Sequence, residues 1–248
     1  MTRLLGIATL VSVAFTLYIG LIVSPPDVVQ GQLVRLIYVH PGAFVACYVG
    51  FGLCALASAA YLWPRTRARR WHLLAGAGAE VGLVMGVVGT VAGSIWGRAA
   101  WGVWWTWDAR LTLTAILLAV FCGYLALRRT GGDFHARAVR SSVVALACFL
   151  VVPVDHYATS WWTTLHQGNT LLRPDPLIHG WQLVAMLSSF VAYGFLTAWL
   201  LVHRYRAAVI EDRVDTDGLS AALADRRAEG ALVGAGAVGP GPREAGVR

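Results

Sequence analysis

The side chains with the most chemistry to offer are crowded into one short run. Five tryptophans fall within twelve residues, at Trp96, Trp101, Trp104, Trp105 and Trp107, and Asp108 and Arg110 follow directly. Indole is bulky and its N–H needs a partner, so a core seldom calls for that many flat rings together. The run suggests a large, flat, apolar guest with a polar or charged edge. Trp101, Trp104 and Trp105 stand at i, i+3 and i+4, which puts them on one face if the stretch is helical. A membrane-surface amphipathic segment is the plainer reading. A second pair, Trp161 and Trp162, brings seven of the eleven tryptophans into two loops.

Imidazoles lie near both loops. His40 sits in Tyr38-Val39-His40-Pro41, His166 in Trp161-Trp162-Thr163-Thr164-Leu165-His166-Gln167-Gly168, and His156 and His179 flank the second loop. A lone histidine at a membrane interface is more often structural. Four beside a tryptophan cluster make ligation credible, since imidazole is a standard axial ligand of haem iron. Haem is a flat apolar disc with two carboxylates on one edge. Indoles would cover it, and Arg98, Arg110 or Arg173 would meet a propionate through charge-assisted hydrogen bonds. His72, His135 and His203 lie among arginines and read as solvated interfacial residues. Cys47, Cys54, Cys122 and Cys148 show no metal-site spacing and read as packing residues.

The elements that must carry these groups are membrane helices. The 248-residue chain is 57% hydrophobic and 13% charged, with a mean hydropathy of +0.62, against about 25% charged in a soluble domain. Six stretches approach or exceed the roughly 20 residues a bilayer requires: Leu4–Val23, Leu36–Trp63, Leu73–Trp96, Leu111–Leu127, Ser141–Val154 and Leu177–Val202. Pro153 and Asp155 end the fifth early, and the first is too long for a cleaved leader. The expectation is an all-α integral membrane bundle of six transmembrane helices over residues 1–205, with an outward-facing tryptophan-rich interfacial segment. Residues 206–248 read as an unstructured cytoplasmic tail rich in Gly, Ala and Arg.

Charge placement orients the bundle. All twenty basic residues are arginine; sixteen lie in the segments that share a side with the termini and four, Arg35, Arg98, Arg110 and Arg173, lie opposite. The positive-inside rule then puts both termini in the cytoplasm and both tryptophan loops outside. The arginines are scattered along membrane edges without a binding motif, so no nucleic-acid partner is expected. The chain contains no lysine, so it has no phosphate loop of its own. Glu80, an acid within the third stretch, reads as a packed, hydrogen-bonded carboxyl group or a contact to a partner subunit.

With those motifs assembled, the run Trp96–Thr112 resembles the "WWD" signature of cytochrome c maturation proteins, and the closest likeness is to the haem exporter protein C (CcmC) family. Tyr38-Val39-His40 is similar to that family's Tyr-x-His element, and Trp161–Gly168 to its Trp-Trp-x-Thr-Leu-His-Gln-Gly element. The resemblance covers residues from about 1 to 205. Pro41 directly follows His40, whereas the family often places its proline one residue later. The likeness implies His40 and His166 as axial ligands of a transient, non-covalent haem b. It implies Trp96, Trp101, Trp104, Trp105, Trp107, Asp108, Arg110, Trp161 and Trp162 as the haem-binding platform. It also implies an inner-membrane protein that passes haem on the periplasmic side to a membrane-anchored chaperone, with ABC-type transporter subunits and a small membrane subunit as partners. No catalytic residue is expected. A cytochrome c synthetase-like haem ligase would be a longer chain with more helices, and a b-type electron carrier would bury its paired histidines deep in facing helices.

Overall fold

The computed structural model describes residues 2–168, 171 and 177–236. Among them, seven α-helices are present: α1 (Thr2–Tyr18), α2 (His40–Leu62), α3 (Arg69–Trp101), α4 (Ala109–Arg128), α5 (Phe134–Phe149), α6 (Val151–Trp161) and α7 (Gly180–Gly236). A π-helical turn, Ile19–Val23, extends α1, and a 3-10 turn, Gln32–Tyr38, leads into α2. Six spans among the described residues are long and apolar enough to cross a membrane: Thr2–Val23, Gln32–Leu62, Arg69–Trp101, Ala109–Arg128, Phe134–Trp161 and Gly180–Gly218. The protein is therefore an all-α membrane bundle.

The chain divides into two compact units, Met1–Arg206 and Ala207–Arg248. The first carries the helix bundle. Its core forms where α2, α3, α4 and α5 meet, around Cys47, Phe51, Cys54, Leu117, Phe121 and Tyr124. Phe51 stacks on Phe121 with ring centroids 3.5 Å apart. Cys47, Cys54 and Cys148 are buried and all four cysteines are free thiols. Glu80 on α3 does not stand alone: both its oxygens receive the Arg204 guanidinium of α7, with the Arg204 Nη2 to Glu80 Oε1 contact at 3.0 Å. A paired charge avoids much of the cost of an isolated carboxylate at that depth.

Two expectations need correction. The fifth span does not stop at Pro153 and Asp155 but runs from Phe134 to Trp161, with a joint at Leu150 where α6 begins. Pro153 lies in the first turn of α6, where a missing N–H forfeits no helical hydrogen bond. Asp155 is fully buried among hydrogen-bond donors. The tryptophan run is likewise not a single helical face. Helix α3 continues to Trp101 and then stops at Gly102, whose φ of +80° suits the left-handed C-terminal position. Trp104, Trp105 and Trp107 follow in non-helical backbone. Helix α7 extends through Gly236. Alanine, the strongest helix former, is the commonest residue over 207–236.

Candidate binding site at the imidazole pair

His40 is the first residue of α2, and Pro41 occupies the adjoining first-turn position. Proline is tolerated in the first turn, where its missing N–H forfeits no helical hydrogen bond. The His40 ring reaches α3, where its Nδ1 lies 2.9 Å from the Gly89 carbonyl oxygen. A carbonyl can only accept, so Nδ1 carries the proton and donates, and the Nε2 lone pair remains open. Gly93, one turn further along α3, leaves room for the ring: a Cβ there would stand 2.7 Å from Cε1 and 2.8 Å from Nδ1.

His166 arrives from the segment between α6 and α7, half-buried, with its Nδ1 2.8 Å from the Gln167 carbonyl oxygen. The same logic frees its Nε2. Burial holds the His166 imidazole below its ordinary pKa, with the Arg110 cation acting in the same direction and the Gln167 carbonyl opposing. The neutral form, the one able to ligate, is favoured. The two rings are tilted relative to each other, with centroids 5.8 Å apart and planes inclined at 37°. Two metal–imidazole bonds of about 2 Å in line would set ring centres roughly 6 Å apart.

Around this pair opens a cavity of about 280 Å³, lined by Phe44, Tyr48, Trp96, Trp101, Trp105, Arg110 and His156 beside the two imidazoles. Trp101 meets the His166 ring edge-on at 6.3 Å and Trp96 meets His40 at 6.1 Å. The Trp96 indole is fixed by its Nε1–H, which donates to Gln30 Oε1 at 2.7 Å. Gln30 is in turn held by the Asp27 carboxylate, which accepts from the Gln30 amide at 2.7 Å and the Val29 amide at 2.8 Å. Those two amides hold the Asp27 carboxyl below the usual carboxylate range. Trp105 Nε1 is buried and has no hydrogen-bond partner among the described residues. It is a donor awaiting an acceptor in a cavity wall, which suits a guest with a carboxylate edge.

The expected platform divides. Trp96, Trp101 and Trp105 line the cavity, whereas Trp104 (60% exposed), Trp107 (77%), Trp161 (58%) and Trp162 (49%) do not. Trp161 stacks on Tyr157 instead. Asp108 is also outside the lining; it caps the N-terminus of α4, its Oδ1 accepting from Leu111 N–H at 3.0 Å. Arg110 does line the cavity, but its guanidinium already faces Asp155: it donates to the Asp155 backbone carbonyl, stands 3.7 Å from Asp155 Oδ2 and donates to the Tyr48 hydroxyl at 3.2 Å. Asp155 also accepts from Tyr48 at 2.7 Å and Thr114 at 3.0 Å. Arg98 donates to the Gly102 carbonyl at the end of its own helix. Arg173 lies outside the described residues. His156 lines the cavity against Tyr48, rings 6.0 Å apart, and His179 is exposed. Tyr38 is buried away from the cavity, its hydroxyl bonded to Ser24.

Sequence reasoning overlooked Gln30, Tyr48, Gly93 and Asp155. For Asp155 a signal existed, because a carboxylate inside an apolar run is expensive unless it serves a purpose.

A family profile described as "Heme exporter protein C" matches residues 1–220. The chain is 32% identical over 216 residues to the Heme exporter protein C of Haemophilus influenzae, covering 86% of each chain. It is 31% identical over 209 residues to that of Escherichia coli K12, covering 83% of this chain and 82% of the relative. It is also 31% identical over 198 residues to a putative cytochrome c biosynthesis ccmC-like mitochondrial protein of Arabidopsis thaliana, covering 79% and 74%. On the family match and these identities together, the chain belongs to the haem exporter protein C family.

Proposed function

We propose that this protein is a membrane component of haem delivery in c-type cytochrome assembly. It holds non-covalent haem b as cargo between His40 and His166 and presents it for transfer. The observation that carries the reading is the imidazole pair: two rings 5.8 Å apart, each with Nδ1–H committed to a carbonyl, so that both Nε2 atoms are available to iron. Fixing the second nitrogen sets tautomer and ring orientation, as outer hydrogen bonds do at other metal sites.

The residues perform distinct tasks. Trp96, Trp101 and Trp105 supply flat apolar walls, and the Trp105 indole N–H and the Arg110 guanidinium offer donors to a propionate. The cavity is at the small end of the roughly 300–1,000 Å³ typical of ligand sites. A porphyrin seated there keeps an edge outside, and the exposed Trp104, Trp107, Trp161 and Trp162 surround that approach as a surface for lipid headgroups or the receiving protein. The receiver is a membrane-anchored haem chaperone, with ABC-type transporter subunits and a small membrane subunit as partners that use ATP. The protein resides in the inner membrane with both termini cytoplasmic and the site on the periplasmic side, as the arginine asymmetry favours.

The test is the absorption spectrum of protein purified from haem-producing cells. A low-spin bis-imidazole spectrum is expected. His40→Ala and His166→Ala should each lose that spectrum and regain it with added imidazole. If both variants keep the wild-type spectrum, the ligand assignment is wrong. Haem that exchanges electrons with quinol but never passes to an acceptor would favour an electron carrier, and covalent attachment to an apocytochrome by this chain alone would favour a ligase.

A further inference from the structure

His40 and His166 are held in unlike ways. His40 starts a helix and is bonded across to a second helix through the Gly89 carbonyl. His166 sits in non-helical backbone, its Nδ1 satisfied by its own neighbour Gln167 and its carbonyl by the Thr164 hydroxyl at 3.1 Å. Leu165 and Gln167 on either side are exposed. Among the described residues, one hydrogen bond ties Thr163–Gly168 to another element: Leu165 N–H donates to Asp108 Oδ2 at 3.0 Å. The other oxygen of that carboxylate, Oδ1, caps α4 through Leu111 N–H at 3.0 Å, and Thr106 Oγ1 donates to Oδ2 at 3.4 Å.

We propose that Asp108 is a positioning residue, a latch that pins the His166 segment to the start of α4 and so sets how readily that imidazole leaves the site. This rests on the proposed role of His166 as a ligand. A carboxylate is suited to the task because each oxygen accepts from a different amide: one fixes the latch to the helix, the other holds the loop. The helix start is the rigid side, since α4 also carries Arg110 and Thr114 into the Asp155 network. Among the described residues, the His166 segment is hydrogen-bonded to another element through one backbone amide, whereas His40 is bonded into the bundle through its own ring.

The discriminating substitution is Asp108→Asn. Asparagine caps a helix as well as aspartate, so its oxygen keeps Leu111, but its NH₂ group then faces the Leu165 N–H, donor against donor. Three results are expected in the full-length protein in detergent. The Leu165 amide exchanges with deuterium at least tenfold faster than in wild type. Bound haem shifts from the low-spin bis-imidazole spectrum toward a high-spin form that added imidazole restores. Haem passes to an apo-globin acceptor at least tenfold faster. Asp108→Ser, which keeps the cap and falls short of Leu165, should behave alike and guards against a folding defect peculiar to one variant. Unchanged exchange at Leu165 overturns the latch, as does an unchanged spectrum or haem loss that imidazole does not rescue; the last would mean that Asp108 touches the cargo itself. A wild-type protein without a bis-imidazole spectrum would refute the proposed function, and the exchange measurement would still decide whether the latch exists.

Discussion

At the scale of single residues, the space beside His40 matters as much as the imidazole. Gly93 is the position against which the ring rests, and a methyl group there would stand 2.7 Å from Cε1. Real Cβ atoms do not approach that closely, so in Gly93→Ala the ring moves and its Nδ1–H leaves the Gly89 carbonyl. Helix stability cannot account for the outcome, because alanine in mid-helix is favoured over glycine by about 0.5–1 kcal/mol. Gly93→Ala is therefore expected to fold at least as well as wild type and to lose the bis-imidazole spectrum. Gly123→Ala on α4, where a new Cβ meets nothing within 4 Å, should keep it. Equal haem spectra in the two variants would show that the ring position is not critical. Residue type and local spacing marked the tryptophan run and four imidazoles beside it, and the family resemblance singled out His40 and His166 among them. Gly93 was not, because its role exists only across the α2–α3 contact, and one glycine among 27 carries no mark of it.

At the scale of elements, α2, α4 and α6 are joined beneath the cavity by Tyr48, Arg110, Thr114 and Asp155. The Asp155 side chain is fully buried and that of Arg110 is 12% exposed. Removing one member of such a pair leaves an uncompensated buried charge, at a cost of about 3–5 kcal/mol, whereas replacing both by apolar residues is often neutral. Asp155→Leu should lower the thermal unfolding midpoint markedly in circular dichroism, and Arg110→Met with Asp155→Leu should recover most of the loss. An unfolding midpoint for the single variant equal to wild type would mean that the pair does not hold the helices together. The same network explains where sequence reading failed on helix ends. Pro153 followed by Asp155 has the local character of a terminator, and only donors from two other helices make the carboxylate an interior residue. The three tryptophans at helical spacing failed for the opposite reason: a local break at Gly102 outweighed the periodicity.

At the scale of the whole molecule, the six spans were legible because a bilayer imposes length and hydropathy on contiguous sequence. Sidedness depends on a different signal, the sum of weak charge effects over all loops. An even number of spans puts Arg3 and the segment after Val202 on the same side as Arg65–Arg70 and Arg128–Arg140, which together hold sixteen of the twenty arginines. The opposite side holds the Trp96–Asp108 and Trp161–His166 segments, and both contribute to one cavity. The proposed orientation links cargo access to topology: with the termini in the cytoplasm, a receiving protein on the outer side would reach the imidazole pair and one in the cytoplasm would not. Two fusions after Arg248 test this in whole cells. Green fluorescent protein there should fluoresce and alkaline phosphatase should stay inactive. A cysteine placed at Trp107, with the native thiols replaced by serine, should react with a membrane-impermeant maleimide added outside, and one placed at Arg67 should react only after the cells are opened. Active phosphatase at the C-terminus, or labelling of Arg67→Cys in intact cells, would invert the bundle and put the proposed haem site on the cytoplasmic side.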